Sequence, residues 1–139
     1  MFAFAPASGV SLRQARTYAQ VDVATGVDGA SPHGLIVMLF DGLLGVLAEA
    51  RGAIRQRDIA AKGRAIGRAV RIIDEGLTAA LNMEDGGTLA GHLERLYGYI
   101  GLRLTHANLH NDEAALEECT RLVETLRGAW TQIADRAPA

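Results

Sequence analysis

The sequence predicts an all-α fold, an antiparallel up-down four-helix bundle preceded by an N-terminal arm. Three observations carry that expectation. Apolar residues recur at three- and four-residue spacing through four long stretches. Short turn signals separate these stretches, which favours antiparallel neighbours. No segment alternates apolar and polar residues as a half-buried strand does.

Composition narrows the reading further. At 139 residues the chain is one domain's worth and long enough to bury a core. Hydrophobic residues make up 49% but aromatics only 5%, so the core should be Leu, Ile, Val and Ala, the material of packed helices. A net charge of −2 gives no global attraction to nucleic acid or to a membrane. The lone cysteine, Cys119, excludes an internal disulfide and fits a reducing cytoplasm. Met1 to Pro6 lacks the basic and long apolar regions of a secretory signal. The longest unbroken apolar run, Leu35 to Phe40, is too short to span a bilayer.

Residues 1–30 read as the arm. Phe2, Phe4, Pro6 and Gly9 suit an extended start. Ser11 and Gln14 form a capping box for a short helix reaching about Val23, and Gly26 and Gly29 end it. The bundle occupies 31–139. Ser31 is an N-cap and Pro32 suits the first helical position. The first helix should reach about Arg57, with Ile36, Phe40, Leu43, Leu47, Ala50 and Ile54 inward. Leu35 to Phe40 is apolar all round, and Leu35, Met38, Leu39 and Val46 widen the stripe. Such a helix needs cover on more than one side.

Asp58 caps a second helix, about Ile59 to Asn82, with Ile66, Val70, Ile73, Leu77 and Leu81 inward and Ala65 and Ile72 to one side. Glu84-Asp85-Gly86-Gly87 is a turn. The third helix spans about Thr88 to Leu109, with Leu89, Leu93, Leu96, Ile100, Leu104 and Ala107 inward. Asn111 or Asp112 caps the fourth, which reaches about Ala134 with Leu116, Cys119, Val123, Leu126, Trp130 and Ile133 inward. Most of the 16 glycines fall inside these helices. Each costs up to about 1 kcal/mol relative to alanine there, so they serve close approach, face solvent, or hold the bundle loose.

Little in the sequence speaks for catalysis. It has no phosphate-binding glycine loop, no dinucleotide fingerprint and no zinc-type cysteine spacing. Cys119 sits at an inward position and reads as a small core residue. His106 and His110 share a helix face, and Asp112 could complete a ligand set, but two histidines near a helix end read more simply as surface or capping residues. We assign no metal and no cofactor. Arg51, Arg55, Arg57, Lys62, Arg64, Arg68 and Arg71 face only Asp58 in sequence and read as a solvated helix face. The alternative, an acidic partner or a nucleic-acid backbone, lacks interleaved aromatics for single-strand stacking. The carboxylate pairs Asp74-Glu75, Glu84-Asp85 and Glu117-Glu118 point apart on a helix. A binding module is expected rather than an enzyme.

Four motifs in register then resemble the FliS family of flagellin export chaperones. Ser31-Pro32-His33-x-Leu35-Ile36-x-Met38-Leu39-Phe40-Asp41-Gly42 is similar to the opening of that family's main helix. Arg103-Leu104-x-x-Ala107-Asn108-x-x-Asn111-Asp112 is similar to its second motif, Ala129-Trp130 to its C-terminal pair, and Tyr18-Ala19-Gln20 to its N-terminal tyrosine motif. The likeness covers about residues 16–134; the arm, with Phe2 and Phe4, is longer than the family's. The resemblance implies a cytoplasmic helical bundle without enzymatic activity. It would bind the disordered C-terminal segment of flagellin, prevent premature polymerisation and present flagellin to the gate of the flagellar type III export apparatus. In some bacteria the family also binds the anti-sigma factor FlgM. Leu35, Met38, Leu39, Val46 and Ile72 are candidates to line a client groove, and Tyr18 to meet the gate. Ser31, Pro32, Asp41, Gly42, Asn108 and Asp112 are structural motif residues. No nucleic acid and no membrane insertion are expected. The rival reading is a homo-oligomeric helical scaffold, a homodimer for example, whose extra apolar face is a self-association surface.

Overall fold

A computed structural model of the protein describes residues 31–81 and 83–136. The arm, with Tyr18 and the helix expected after Ser11, lies outside the described residues. Four helices follow in order: α1 (Pro32–Arg55), α2 (Ile59–Arg71) continued by a π-helical segment (Ile72–Thr78), α3 (Met83–His110) and α4 (Glu113–Arg136). Among the described residues there is no strand. The main contacts run round a ring, α1 on α2, α2 on α3, α3 on α4 and α4 back on α1.

Cross-helix pairs fix the antiparallel order. The start of α1 meets the end of α4 through His33 and Trp130, and the end of α1 meets the start of α4 through Arg55 and Glu113. Glu49 pairs with Arg68 across α1 and α2, and Arg103 with Glu118 across α3 and α4.

Local chemistry sets the ends. Ser31 Oγ accepts from the Gly34 N–H at 3.1 Å, Asp58 Oδ1 from Ala61 at 3.0 Å, and Asp112 Oδ1 from Ala115 at 3.2 Å. Both α1 and α3 close through a residue in the left-handed region, Arg57 (φ 57°) and Asn111 (φ 51°). The next N–H then reaches back, Asp58 to the Ala53 carbonyl and Asp112 to the Ala107 carbonyl.

The core sits at the centre of the ring. Leu39, Phe40, Leu43, Leu47, Ile73, Leu77, Ile100, Leu104, Leu116 and Val123 are its large, fully buried members, and Cys119 lies among them. Several expectations are corrected. Leu89 is 56% exposed and Ile133 46%, although both continue inward stripes. They lie in end turns at the same end of the bundle, beyond the cover of neighbouring helices. Tyr97, absent from the expected core, is buried. Glu84 to Gly86 is helical rather than a turn; the chain breaks at Gly87, whose φ 53° and ψ −126° suit glycine alone. The second helix leaves α geometry after Arg71 and takes a wider π turn. Gly76 lies buried in that turn, where a Cβ would stand 3.0 Å from Leu39 Cδ2.

At 24 residues, α1 is long and apolar enough by length and composition to cross a membrane, which the short apolar run did not suggest. Here its apolar residues pack on α2 and α4.

Candidate functional site

The apolar stretch of α1 finds most of its cover within the chain. Leu35, Leu39 and Val46 are buried, and so is Ile72. Met38 is half-buried, in a shallow groove with Asp41, Gly42, Gly45, Val46, Glu49 and Arg68. Of the five candidate groove residues in the bundle, Leu35 alone reaches the most apolar opening.

That opening is a cavity of about 250 Å³ at the end of the bundle where α1 begins. Pro32, His33, Leu35 and Ile36 wall it from α1, and Leu77, Ala80 and Leu81 from the end of the second helix. Leu93 and Tyr97 come from α3 and Trp130 from α4. The cap of α1 places its first wall, because Ser31 and Pro32 start the helix at the rim. Trp130 stacks on His33, with ring centroids 4.9 Å apart and planes 29° apart. Its indole N–H donates to the His33 carbonyl at 3.2 Å, which ties the end of α4 to the start of α1. Burial pushes the Tyr97 phenol up to about 12, so it stays neutral and adds no charge to the wall. The pocket therefore offers apolar area and one polar handle, the form of site that takes apolar side chains.

Sequence reasoning put Trp130 inward and matched it to a motif without making it a wall. Leu81, Leu93 and Tyr97 were missed as site residues because the pocket is assembled from separate elements. Further apolar surface lies along the outer face of α3, where Leu102 and Leu109 are each 72% exposed beside Tyr99.

The remaining sequence candidates have structural partners. Asp41 pairs with Arg127 at 2.5 Å, and Gly42 lines the shallow groove. Asp112 caps α4; Asn108 accepts from Lys62 Nζ through its backbone carbonyl at 2.8 Å. Three members of the basic run are neutralised across helices. Arg51 meets Glu113 and Glu117, Arg55 meets Glu113, and Arg68 meets Glu49. Lys62 is buried, against the expectation of a solvated face. His106 Nε2 lies 3.1 Å from Asp112 Oδ2, and its ring 4.5 Å from that of His110. Among the described residues no group of three or more side chains is gathered that could hold a metal ion. Burial pushes the Cys119 thiol up to about 11, far from a reactive thiolate.

Fold and site together define a helical bundle with an apolar end pocket and a buried, protonated thiol. The comparisons give that bundle its family. The family model described as flagellar protein FliS matches residues 14–137. The chain is 48% identical over 122 residues to the flagellar secretion chaperone FliS of Salmonella typhimurium, covering 88% of this chain and 90% of that one. It is 42% identical over 123 residues to the flagellar secretion chaperone FliSB of Pseudomonas aeruginosa, covering 88% and 97%. To FliS of Escherichia coli it is 37% identical over 117 residues, covering 84% and 86%. The chain belongs to the FliS family.

Proposed function

We propose that this protein is a flagellin export chaperone that receives the disordered C-terminal segment of flagellin, keeps it from polymerising early and presents it to the flagellar export gate. The observation that supports this most is the apolar end pocket walled by all four helical elements. An amphipathic client helix docks through apolar anchors at helical spacing. Each anchor buried gains about 1.5–3 kcal/mol, against the ordering cost of a segment that folds as it binds. Leu35 and Trp130 are the contact residues of this reading. Met38 and Val46 in the shallow groove extend it along α1, whereas Leu39 and Ile72 lie in the core behind it. Tyr18, in the arm that precedes Ser31, meets the gate. The work is done in the cytoplasm, and FlgM is a second client. Catalysis has no part in it.

Trp130 is the sequence's one tryptophan, which gives a direct test. Titration with a tryptophan-free flagellin C-terminal peptide should shift its emission to a stoichiometric end point, with a gain in helicity. An unmoved emission and no complex would sink the proposal.

Exposure of Leu102 and Leu109 favours the second reading, self-association through α3. Light scattering separates the two: a mass that doubles with concentration and no response to peptide supports the scaffold.

A further inference from the structure

At the end of the bundle opposite the apolar pocket, the α1–α2 and α3–α4 turns enclose a second cavity, of about 280 Å³. Lys62 lines it and is 5% exposed. Its Nζ donates to the Asn108 carbonyl at 2.8 Å and to Asn111 Oδ1 at 2.5 Å. Both acceptors are neutral, and an ammonium group has three protons to give. None of the ion pairs among the described residues includes Lys62. The carbonyl end of α3 supplies a partial negative charge, which accounts for part of the burial. A buried cation still favours a full counter-charge.

The rest of the lining suits an anion that brings an apolar body. Arg57 adds a second cation, held at φ 57°, a conformation arginine rarely adopts. Ala53 and Ile54 make an apolar wall, and Ile59 stands at the rim 63% exposed. Asp58 is the lining's one anion, and its Oδ1 is turned to the Ala61 N–H as the cap of α2.

We propose that this cavity binds a carboxylate carried on a short branched apolar stem. The carboxylate accepts from Lys62 and Arg57, and the stem packs on Ile54 and Ile59. A polypeptide ending in a leucine-like residue offers this chemistry, and so does a free branched short-chain acid.

The test is a titration of the 15N-labelled full chain followed by amide shifts of Ile59, Lys62 and Asn111. The probes are acetyl-Ala-Ala-Leu with a free carboxylate, the same peptide as its C-terminal amide, and 4-methylpentanoate. The free acid peptide should move these three amides to saturation, and the amide should bind about tenfold more weakly or worse. Saturation by the peptide acid alone identifies a chain terminus as the source; saturation by 4-methylpentanoate as well shows that stem and carboxylate suffice. Lys62→Gln should abolish the response. Asp58→Asn keeps the cap and removes the lining anion, so it should strengthen binding several-fold, and it decides the matter if Lys62→Gln does not fold. Equal response to acid and amide, no response to any probe, or no gain in Asp58→Asn overturns the proposal.

Discussion

Gly76 and Gly98 are the same residue in opposite circumstances. A Cβ at Gly98, Gly101 or Gly128 would meet nothing, whereas at Gly76 it would press on Leu39. Gly98→Ala and Gly128→Ala should each raise stability by about 0.5–1 kcal/mol in urea unfolding, through lost backbone freedom in the unfolded chain. Gly76→Ala should lower it by roughly 1–3 kcal/mol, because Leu39 is packed on every side. The sequence places all of these glycines in helices alike; what divides them is a neighbour on another helix. Lys62 carries a different lesson. It lies one turn before Ile66, on the same inward stripe as Ile73 and Leu77, so its burial was legible from periodicity. Counting charges along the chain hid it, and its acceptors on α3 and the following turn were out of reach of any local pattern.

At the scale of elements, the start of α4 is an acid-sensitive joint. The Ala115 N–H, then His106, hold the Asp112 carboxyl below its usual range. Arg55 and then Arg51 do the same for Glu113, and Tyr99 and Arg103 for Glu118. Groups lowered on folding stabilise the fold above their unfolded values, near pH 4, and lose that contribution as pH falls through the folded ones. Thermal unfolding followed by circular dichroism should therefore show the melting temperature dropping as pH falls below about 4. Glu113→Gln should flatten that drop. Asp74 runs the other way, since burial raises its carboxyl, so it sheds stability as pH rises. The break in α3 makes its own prediction: Gly87→Ala forces an alanine into glycine's region and should cost about 1–3 kcal/mol in the same unfolding measurement. Apolar stripes were enough to find every helix of the bundle. The glycine pair Gly86-Gly87 marked the break, but nothing marked the π segment, because it is a change of hydrogen-bond register, which no side-chain spacing records.

Across the whole molecule, the apolar excess of α1 marks its central place: α2 covers one side and α4 another. That answers the sequence's question differently from a groove laid along α1. The fold was legible because each stripe is local. The end pocket was not, because Pro32, Leu81, Tyr97 and Trp130 are distant in sequence and meet only when the ring closes. Trp130→Ala should weaken binding of a flagellin C-terminal peptide by about tenfold or more in calorimetry, as expected for a buried aromatic anchor. Leu102→Ser with Leu109→Ser should leave folding stability within about 0.5 kcal/mol, since both side chains already face water. The closing of the ring by α4 also sets a timetable. A nascent chain still in the ribosome's tunnel at Trp130 has no finished pocket, however well its first three helices have formed. Nothing can be recognised there until α4 has left the tunnel, so a product stalled or truncated before Trp130 competes with no finished copy.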